Sequence, residues 1–408
     1  MPDSSSTQPS SSSTRRVSRR AALQTAGAVG ACLVLPARVL GMADVAPPSE
    51  RIGVGMIGVG MRGQQILGAF NGRESAVVAL CDVNRASLAG AFEKLSRKIK
   101  VELPTYGDFR RLLDRKDIDA VVVVTPDHWH AAMTVLACRA GKDVYCEKPL
   151  AHTIREGRAM VEAARRYGRV VTGGSTRVRG DFGRTADFVA SGAIGKLTEA
   201  YVGAGGPAGD RPTATEPVPE GLDWDMFVGP APWVPYSEAR YKNWRNYSVF
   251  GGGALDDWGA HFYGGFLYAL QLDDTGPTEI AIEGRGNARN VVFKFANGVI
   301  VHQKGPQRFI GERGEAGVGK QHPAVVSPLR QYRGKGDLHG DWFHCIRTRE
   351  RPFQDVEYAH RVASMCHLTE IAMKLGRPLR WDPRKEVFDD EQANRMLGVA
   401  MREPWTIG

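Results

Sequence analysis

The sequence predicts an α/β protein: an N-terminal doubly wound parallel sheet, then a C-terminal α/β domain whose sheet is mostly antiparallel. Three observations carry the prediction. From residue 47 to 176 short apolar runs alternate with helical patterns, as parallel βαβ units require. A Pro-, Gly- and Trp-rich stretch follows, and beyond it "PTEIAIEGR" and "ARNVVFKFANGVIVHQKG" alternate apolar with polar residues. Within the second run Asn297-Gly298 marks a two-residue hairpin turn, which joins antiparallel strands.

Residues 1–46 are expected to lie outside the fold. A Ser-rich start leads to Ser18-Arg19-Arg20 and Leu23, then a weakly apolar Ala/Gly/Val/Leu stretch, which resembles a twin-arginine export signal with cleavage between Ala37 and Ala46. This places the mature protein in the periplasm. A disordered basic tail is the plainer alternative. The stretch is too short and too rich in Ala and Gly for a membrane span. Five of the 54 basic residues and two of the 45 acidic ones fall here, leaving a scattered excess of +6 elsewhere. No basic run interleaved with aromatics accompanies it, which argues against nucleic-acid binding. The six cysteines (32, 81, 138, 146, 345, 366) have neither C-x-x-C nor zinc spacing and read as buried thiols.

The first strand ends in "RIGVGMIGVGMRGQQILGAF", which spells G-x-G-x-x-G twice. A dinucleotide site needs an apolar strand before the first glycine and a helix opening at the third, so that free N–H groups face a pyrophosphate. Only Gly58, Gly60 and Gly63 meet that condition, because "RIGVGMI" precedes them and Ile66, Leu67 and Phe70 follow at helical spacing. The second strand, Val77 to Leu80, leads to Asp82, an acceptor for a ribose hydroxyl. A carboxylate there repels a 2′-phosphate and favours NAD; Arg85 leaves NADP open.

Helix, strand, helix, strand, helix and strand follow to about Thr176, with Val121 to Val124 and "DVYCEKP" as buried strands. The cofactor set on these strand ends is Gly58, Gly60, Met61, Arg62, Gly63 and Asp82, with Thr125, Pro126, His130 and Glu147. Residues 177–408 form the second domain: long loops from about residue 207, then the sheet, then a helical tail whose last helices return to the first domain.

Two motifs carry chemistry. "CEKPL" places Lys148 beside Glu147 at the carboxyl end of a parallel strand, where a lysine of lowered pKa exchanges a proton with a substrate hydroxyl. A surface lysine at a strand end would spell the same. "GGGALDDWGAHF" sets Asp257 and His261 four apart, on one face of a helix, as an acid/base pair in which the aspartate orients the imidazole. A helix-capping aspartate and a core histidine is the structural alternative, and Asp256 leaves the choice of carboxylate open. "WVPYSEARYKNWRNY" offers Trp244 and Arg245 to a sugar, with Arg177 nearby in sequence to the sheet's last strand. A metal held by Asp257, His261, His128 and His130 is disfavoured; no metal is expected.

Together "GVGMRG", "CDVN", "TPDHWHA", "GKDVYCEKPL", "GLDWDMFVGPAPWVPY", "GGGALDDWGAHF", "HLTEIAMKLGRPLRWDP" and "EQANRML" resemble the glucose-fructose oxidoreductase/inositol dehydrogenase (Gfo/Idh/MocA) family over almost the whole chain past residue 50. The resemblance implies a Rossmann domain and a C-terminal domain with an open-faced sheet that packs against another subunit in a homo-oligomer. It also implies catalysis by Lys148, Asp257 and His261 on a sugar, polyol or glycoside. Redox-neutral glycoside cleavage or epimerisation with tightly bound NAD is the first alternative, and a non-catalytic dinucleotide-binding module the second.

Overall fold

Six apolar residues, Ile52–Ile57, form β1, buried along its whole length, as a strand covered on both faces must be. The computed structural model describes residues 50–96, 103–175, 177–284 and 290–408. The stretch read as an export signal, with Cys32, lies outside them.

After β1 come α1 (Met61–Ile66), β2 (Ser75–Cys81), α2 (Arg85–Ser96), β3 (Thr105–Tyr106), α3 (Phe109–Leu113), β4 (Ala120–Val123), α4 (His130–Arg139), β5 (Asp143–Cys146), α5 (Ile154–Arg166) and β6 (Val171–Gly173). The six strands pair in the order β3-β2-β1-β4-β5-β6, all parallel. The order reverses between β1 and β4, so the crevice for a ligand opens at their carboxyl ends. One expectation needs correcting. The first helix opens at Met61, just past the second glycine, because Gly60 is extended and acts as its N-cap. It runs on from Ile66 as a tighter 3-10 turn, Leu67–Phe70.

The chain continues through α6 (Gly180–Ala190), β7 (Leu197–Tyr201), α7 (Trp224–Val228), α8 (Glu238–Lys242), α9 (Gly253–Leu270), β8 (Glu279–Glu283), β9 (Asn290–Lys294), β10 (Ile300–His302), β11 (Arg308–Gly311), β12 (Gly314–Gly317), α10 (Leu338–Thr348), α11 (Val356–Leu375), β13 (Leu379–Asp382), β14 (Val387–Phe388) and α12 (Glu391–Arg395). The second sheet runs β12-β11-β7-β10-β9-β8-β13-β14, antiparallel except where β7 meets β10. Gly298, at φ 88°, makes the turn between β9 and β10. The tail is helical as expected, but it also adds β13 and β14 to the sheet edge; strands of four and two residues are too short to show a period.

One face of this sheet is covered. Tyr263 of α9 stands edge-on to Phe293, and Phe266 stacks on Phe309. The opposite face carries Tyr201 stacked on His302, with Arg308 over the tyrosine ring. Leu338, Trp342, Phe343 and Ile346 of α10 share a core with Val54, Leu80 and Val122 of the first sheet. Trp342 is fully buried; truncating such an indole costs about 3–5 kcal/mol. Trp405 closes the other side against Phe109 and Trp129. The described cysteines, 81, 138, 146, 345 and 366, are buried free thiols. Among the described residues no helix is long and apolar enough to cross a membrane.

Candidate active site

The turn after β1 is shaped by its glycines. Gly58 has φ 84°, and a Cβ there would meet Val124 O at 2.4 Å; a Cβ on Gly63 would meet Gly58 O at 2.2 Å. Gly60 faces open space, with nothing within 4 Å of such an atom. The turn therefore packs tightly on its protein side and leaves its outer side free for a phosphate to approach. Asp82 ties it to the second strand: its Oδ2 accepts from the Val59 N–H (2.8 Å) and its Oδ1 from the Asn84 N–H (2.8 Å). Burial pushes this carboxyl up to about 6, against those two amides. Each oxygen keeps a lone pair for a ribose hydroxyl.

A cleft of about 650 Å³ runs from this turn to α9, within the range of small-ligand sites. Its wall includes Gly58, Gly60, Met61, Arg62 and Asp82 on the first two strand ends, and Thr125, Pro126 and Glu147 on the next. Arg62 holds the buried Glu147 at 2.8 Å. Burial pushes that carboxyl up, and Arg62 opposes the shift. Thr125 Oγ1 is buried with no hydrogen-bond partner, a free polar group where a cofactor is expected. The structure does not place Gly63 or His130 on the cleft wall. Gly63 serves the close packing of helix on turn, and the buried His130 ring lies between Pro149 O (2.7 Å) and Thr125 O (3.0 Å), behind the loop that carries Lys148.

Lys148, Asp257 and His261 line the far end of the same cleft. Lys148 leaves β5 on a cis Lys148-Pro149 peptide, and its Nζ donates to Asp257 Oδ1 (2.5 Å) and Asp257 O (3.0 Å). Arg245 Nε reaches the same Oδ1 at 3.1 Å. Burial works against ionisation of Asp257, but Lys148 and Arg245 outweigh it and hold the carboxyl below its usual range. The expected aspartate-oriented imidazole is not observed. Asp257 is engaged by the two cations, and His261 Nδ1 instead meets Ser175 Oγ at 2.7 Å. Burial, with Lys148 and Arg177 nearby, lowers His261 to about 3, so the ring is neutral. Ser175 is a site residue that spacing alone did not reveal, since it lies 86 positions from its partner.

Arg177, Trp244 and Arg245 also line the cleft. Arg245 lies over Trp244 at 4.3 Å and Arg177 over Trp258 at 4.8 Å. Trp258 is 40% exposed and was not singled out from sequence. Of the two adjacent carboxylates Asp257 lies on the cleft wall, while Asp256, one position earlier on α9, is 1% exposed and off it. His128 is buried with both ring nitrogens near backbone carbonyls, of Phe250 and Phe227, so neither histidine of "DHWH" is free for the metal set considered above.

Residues 52–175 match the model of an oxidoreductase family described as an NAD-binding Rossmann fold, and residues 206–407 match that family's C-terminal alpha/beta domain. A relative named glycosyl hydrolase family 109 protein 1, from Shewanella, is 33% identical over 168 residues, 37% of each chain; the match thus spans about a third of that relative's length. Among solved structures, the chain resembles the WlbA dehydrogenase from Bordetella pertussis in complex with NADH and UDP-GlcNAcA (TM-score 0.59, 17% identity, 81% of this chain and 99% of that one). It likewise resembles an aldose-aldose oxidoreductase from Caulobacter crescentus complexed with glycerol (TM-score 0.56, 22% identity, 81% and 99%).

Proposed function

Since the chain belongs to the Gfo/Idh/MocA oxidoreductase family and has its NAD-binding domain, we propose that it oxidises or reduces a CH–OH carbon of a sugar, polyol or glycoside. The observation that carries this reading is the meeting of Lys148, Asp257 and His261 in one cleft with the glycine turn. NAD, when bound along that turn, supplies a hydride acceptor for the carbinol carbon. Lys148 Nζ, in its neutral amine form, is the group placed to take the hydroxyl proton. As the ammonium it then forms, it has two of its three N–H bonds directed at Asp257 Oδ1 and Asp257 O, and the third remains for the substrate oxygen. His261, neutral at physiological pH, is a hydrogen-bond partner for a neighbouring hydroxyl. Trp244 and Trp258 offer ring faces for a pyranose and Arg177 donors to its hydroxyls.

A second reading, transient oxidation for glycoside cleavage or epimerisation with no net redox change, is favoured by the relative's glycosyl hydrolase name. Export by the twin-arginine route to the periplasm, which we also propose, supports it, because no free NAD pool is available there to renew the cofactor. The sequence route carries folded proteins, so NAD can be loaded beforehand. A dinucleotide-binding module without chemistry would have no need of all three proton-handling residues.

Full-length protein purified without added NAD separates these readings when offered aldoses, polyols and aryl glycosides. Accumulating reduced-nicotinamide absorbance supports net oxidation. Aglycone release without that absorbance supports the redox-neutral reading. Neither signal in the NAD-loaded protein, and no epimer of the offered sugars by chromatography, would leave the binding module.

A further inference from the structure

From Asp127 on the cleft wall inward, three donor atoms of Asp127, His152 and Asp256 lie within 4.8 Å of one another. They come from three places in the fold: the turn after β4, the segment before α5, and the first turn of α9. His367 of α11 approaches from a fourth, with its Nδ1 4.0 Å from Asp256 Oδ2. Neither oxygen of Asp256 has a hydrogen-bond partner, nor does His152 Nδ1, although all three atoms are buried.

The tautomers can be read from the carbonyls. His152 Nε2 lies 2.8 Å from Ser248 O and His367 Nε2 3.1 Å from Ala151 O. A carbonyl only accepts, so each Nε2 carries the proton and each Nδ1 has its lone pair free. Burial keeps both rings neutral, with His367 lowered to about 3. Metal-bound histidines commonly have this arrangement, with the second ring nitrogen donating to a backbone carbonyl. Asp127 and Asp256 add carboxylates, and burial disfavours ionisation of both, aided by the Asp257 charge at Asp127, which is pushed up to about 7, and by the Asp127 charge at Asp256. Two carboxylates and the His152 lone pair therefore converge on a point where no donor reaches Asp256, and the His367 lone pair stands beside it, near Asp256.

We infer that Asp127, His152 and Asp256 hold a divalent transition-metal ion of the zinc class, with His367, next to Asp256, drawn in as the fourth donor of an N₂O₂ site. Such donors suit zinc and its neighbours rather than magnesium or calcium, which prefer all-oxygen shells. Zinc–nitrogen and zinc–oxygen bonds of about 2.0–2.2 Å require the side chains to close by roughly 1 Å. On binding, the ion displaces whatever protons the two carboxylates hold and neutralises their charge. With no position left for water, the site is structural: it ties the start of α9, which carries Asp257, to the loop that carries Lys148. This set is distinct from the one weighed from sequence, and spacing could not suggest it.

The test is a cobalt titration of the full-length chain after chelator treatment, followed by visible d–d absorption and elemental analysis. One equivalent of Co²⁺, displaced by Zn²⁺, is expected. Asp256→Asn and His152→Gln should each weaken binding at least about 100-fold, a ligand costing more than the outer-shell partners whose loss costs 10–100-fold. His261→Asn, in the cleft, should bind as the wild type does. No bound cobalt in the folded wild-type chain at tens of micromolar free metal overturns the inference, and is the result a proton shared between Asp127 and Asp256 would give. Full binding by His152→Gln overturns it too, and that variant decides the matter if Asp256→Asn does not fold.

Discussion

Lys148 Nζ touches Asp257 twice, at the carboxylate (2.5 Å) and at the backbone carbonyl (3.0 Å), so the lysine is fixed by side chain and main chain of one residue. Lys148→Ala should retain NAD and lose about 10²–10⁴ in turnover, the usual worth of a positioned acid or base. Asp257→Asn should also be impaired, and the double variant should cost far less than the sum of the two. Steady-state kinetics on whichever aldose, polyol or aryl glycoside the wild type turns over checks this; near-normal turnover in Lys148→Ala would remove the lysine from the mechanism.

The two ends of the glycine turn should respond oppositely to a methyl group. Gly60→Ala meets open space at a φ of −65°, so stability should stay within about 0.5 kcal/mol while NAD affinity falls. Gly63→Ala drives a Cβ into Gly58 O and should cost about 1–3 kcal/mol of stability. Asp82→Ala should weaken NAD more than NADP, because it removes a ribose acceptor and a charge that repels a 2′-phosphate. Calorimetric titration with both cofactors and denaturant unfolding measure these effects; equal losses for NAD and NADP would free Asp82 from the ribose.

His261 gives the acid side of the stability curve a definite slope. The unfolded chain protonates this imidazole below about pH 6.5, whereas the fold, chiefly through burial, keeps it neutral down to about pH 3. Protons therefore favour unfolding as pH falls below 6.5, by about 2 kcal/mol at pH 5. His261→Asn should lose that share of the pH dependence between pH 7 and 5. Parallel unfolding curves for variant and wild type would show that the ring is protonated in the folded state.

The uncovered face of the second sheet is proposed as the contact between copies of the chain. Across it the register aligns Lys294, Ile300, Glu199 and Ile310 on adjacent strands. Ile300→Asp with Ile310→Asp places two carboxylates in that row while leaving the buried Val301 and Phe309 untouched. Light scattering should report an oligomer for the wild type and a monomer for the double variant. An unchanged mass would place the interface elsewhere.

The parts of this molecule that sequence reading reached are those written locally. The β1 turn, Asp82, Lys148, and the pair Asp257 and His261 each sit within a short motif whose spacing fixes strand end or helix face. What it missed depends on segments meeting in space. Ser175 reaches His261 only because the end of β6 lies against α9, and this pairing replaces the Asp257–His261 contact that four-residue spacing suggested. Likewise Asp127, His152, Asp256 and His367 stand on four separate elements, and no interval between them repeats a ligand pattern. The first helix opened early for a local reason that the motif does not spell, the extended backbone of Gly60.

The return of α10 and Trp405 to the parallel sheet has a consequence for biosynthesis. The first sheet emerges from the ribosome before the second, but of the residues that complete its two cores Trp342 and Phe343 are translated only after β7–β12, and Trp405 after the whole second sheet. The nascent first half exposes those apolar surfaces until the rest of the chain arrives. Completion of those cores is thereby postponed until residue 405 has been made, and a chaperone that shields the half-made chain should raise the yield of protein in living cells more than it would speed refolding of the finished chain in a test tube.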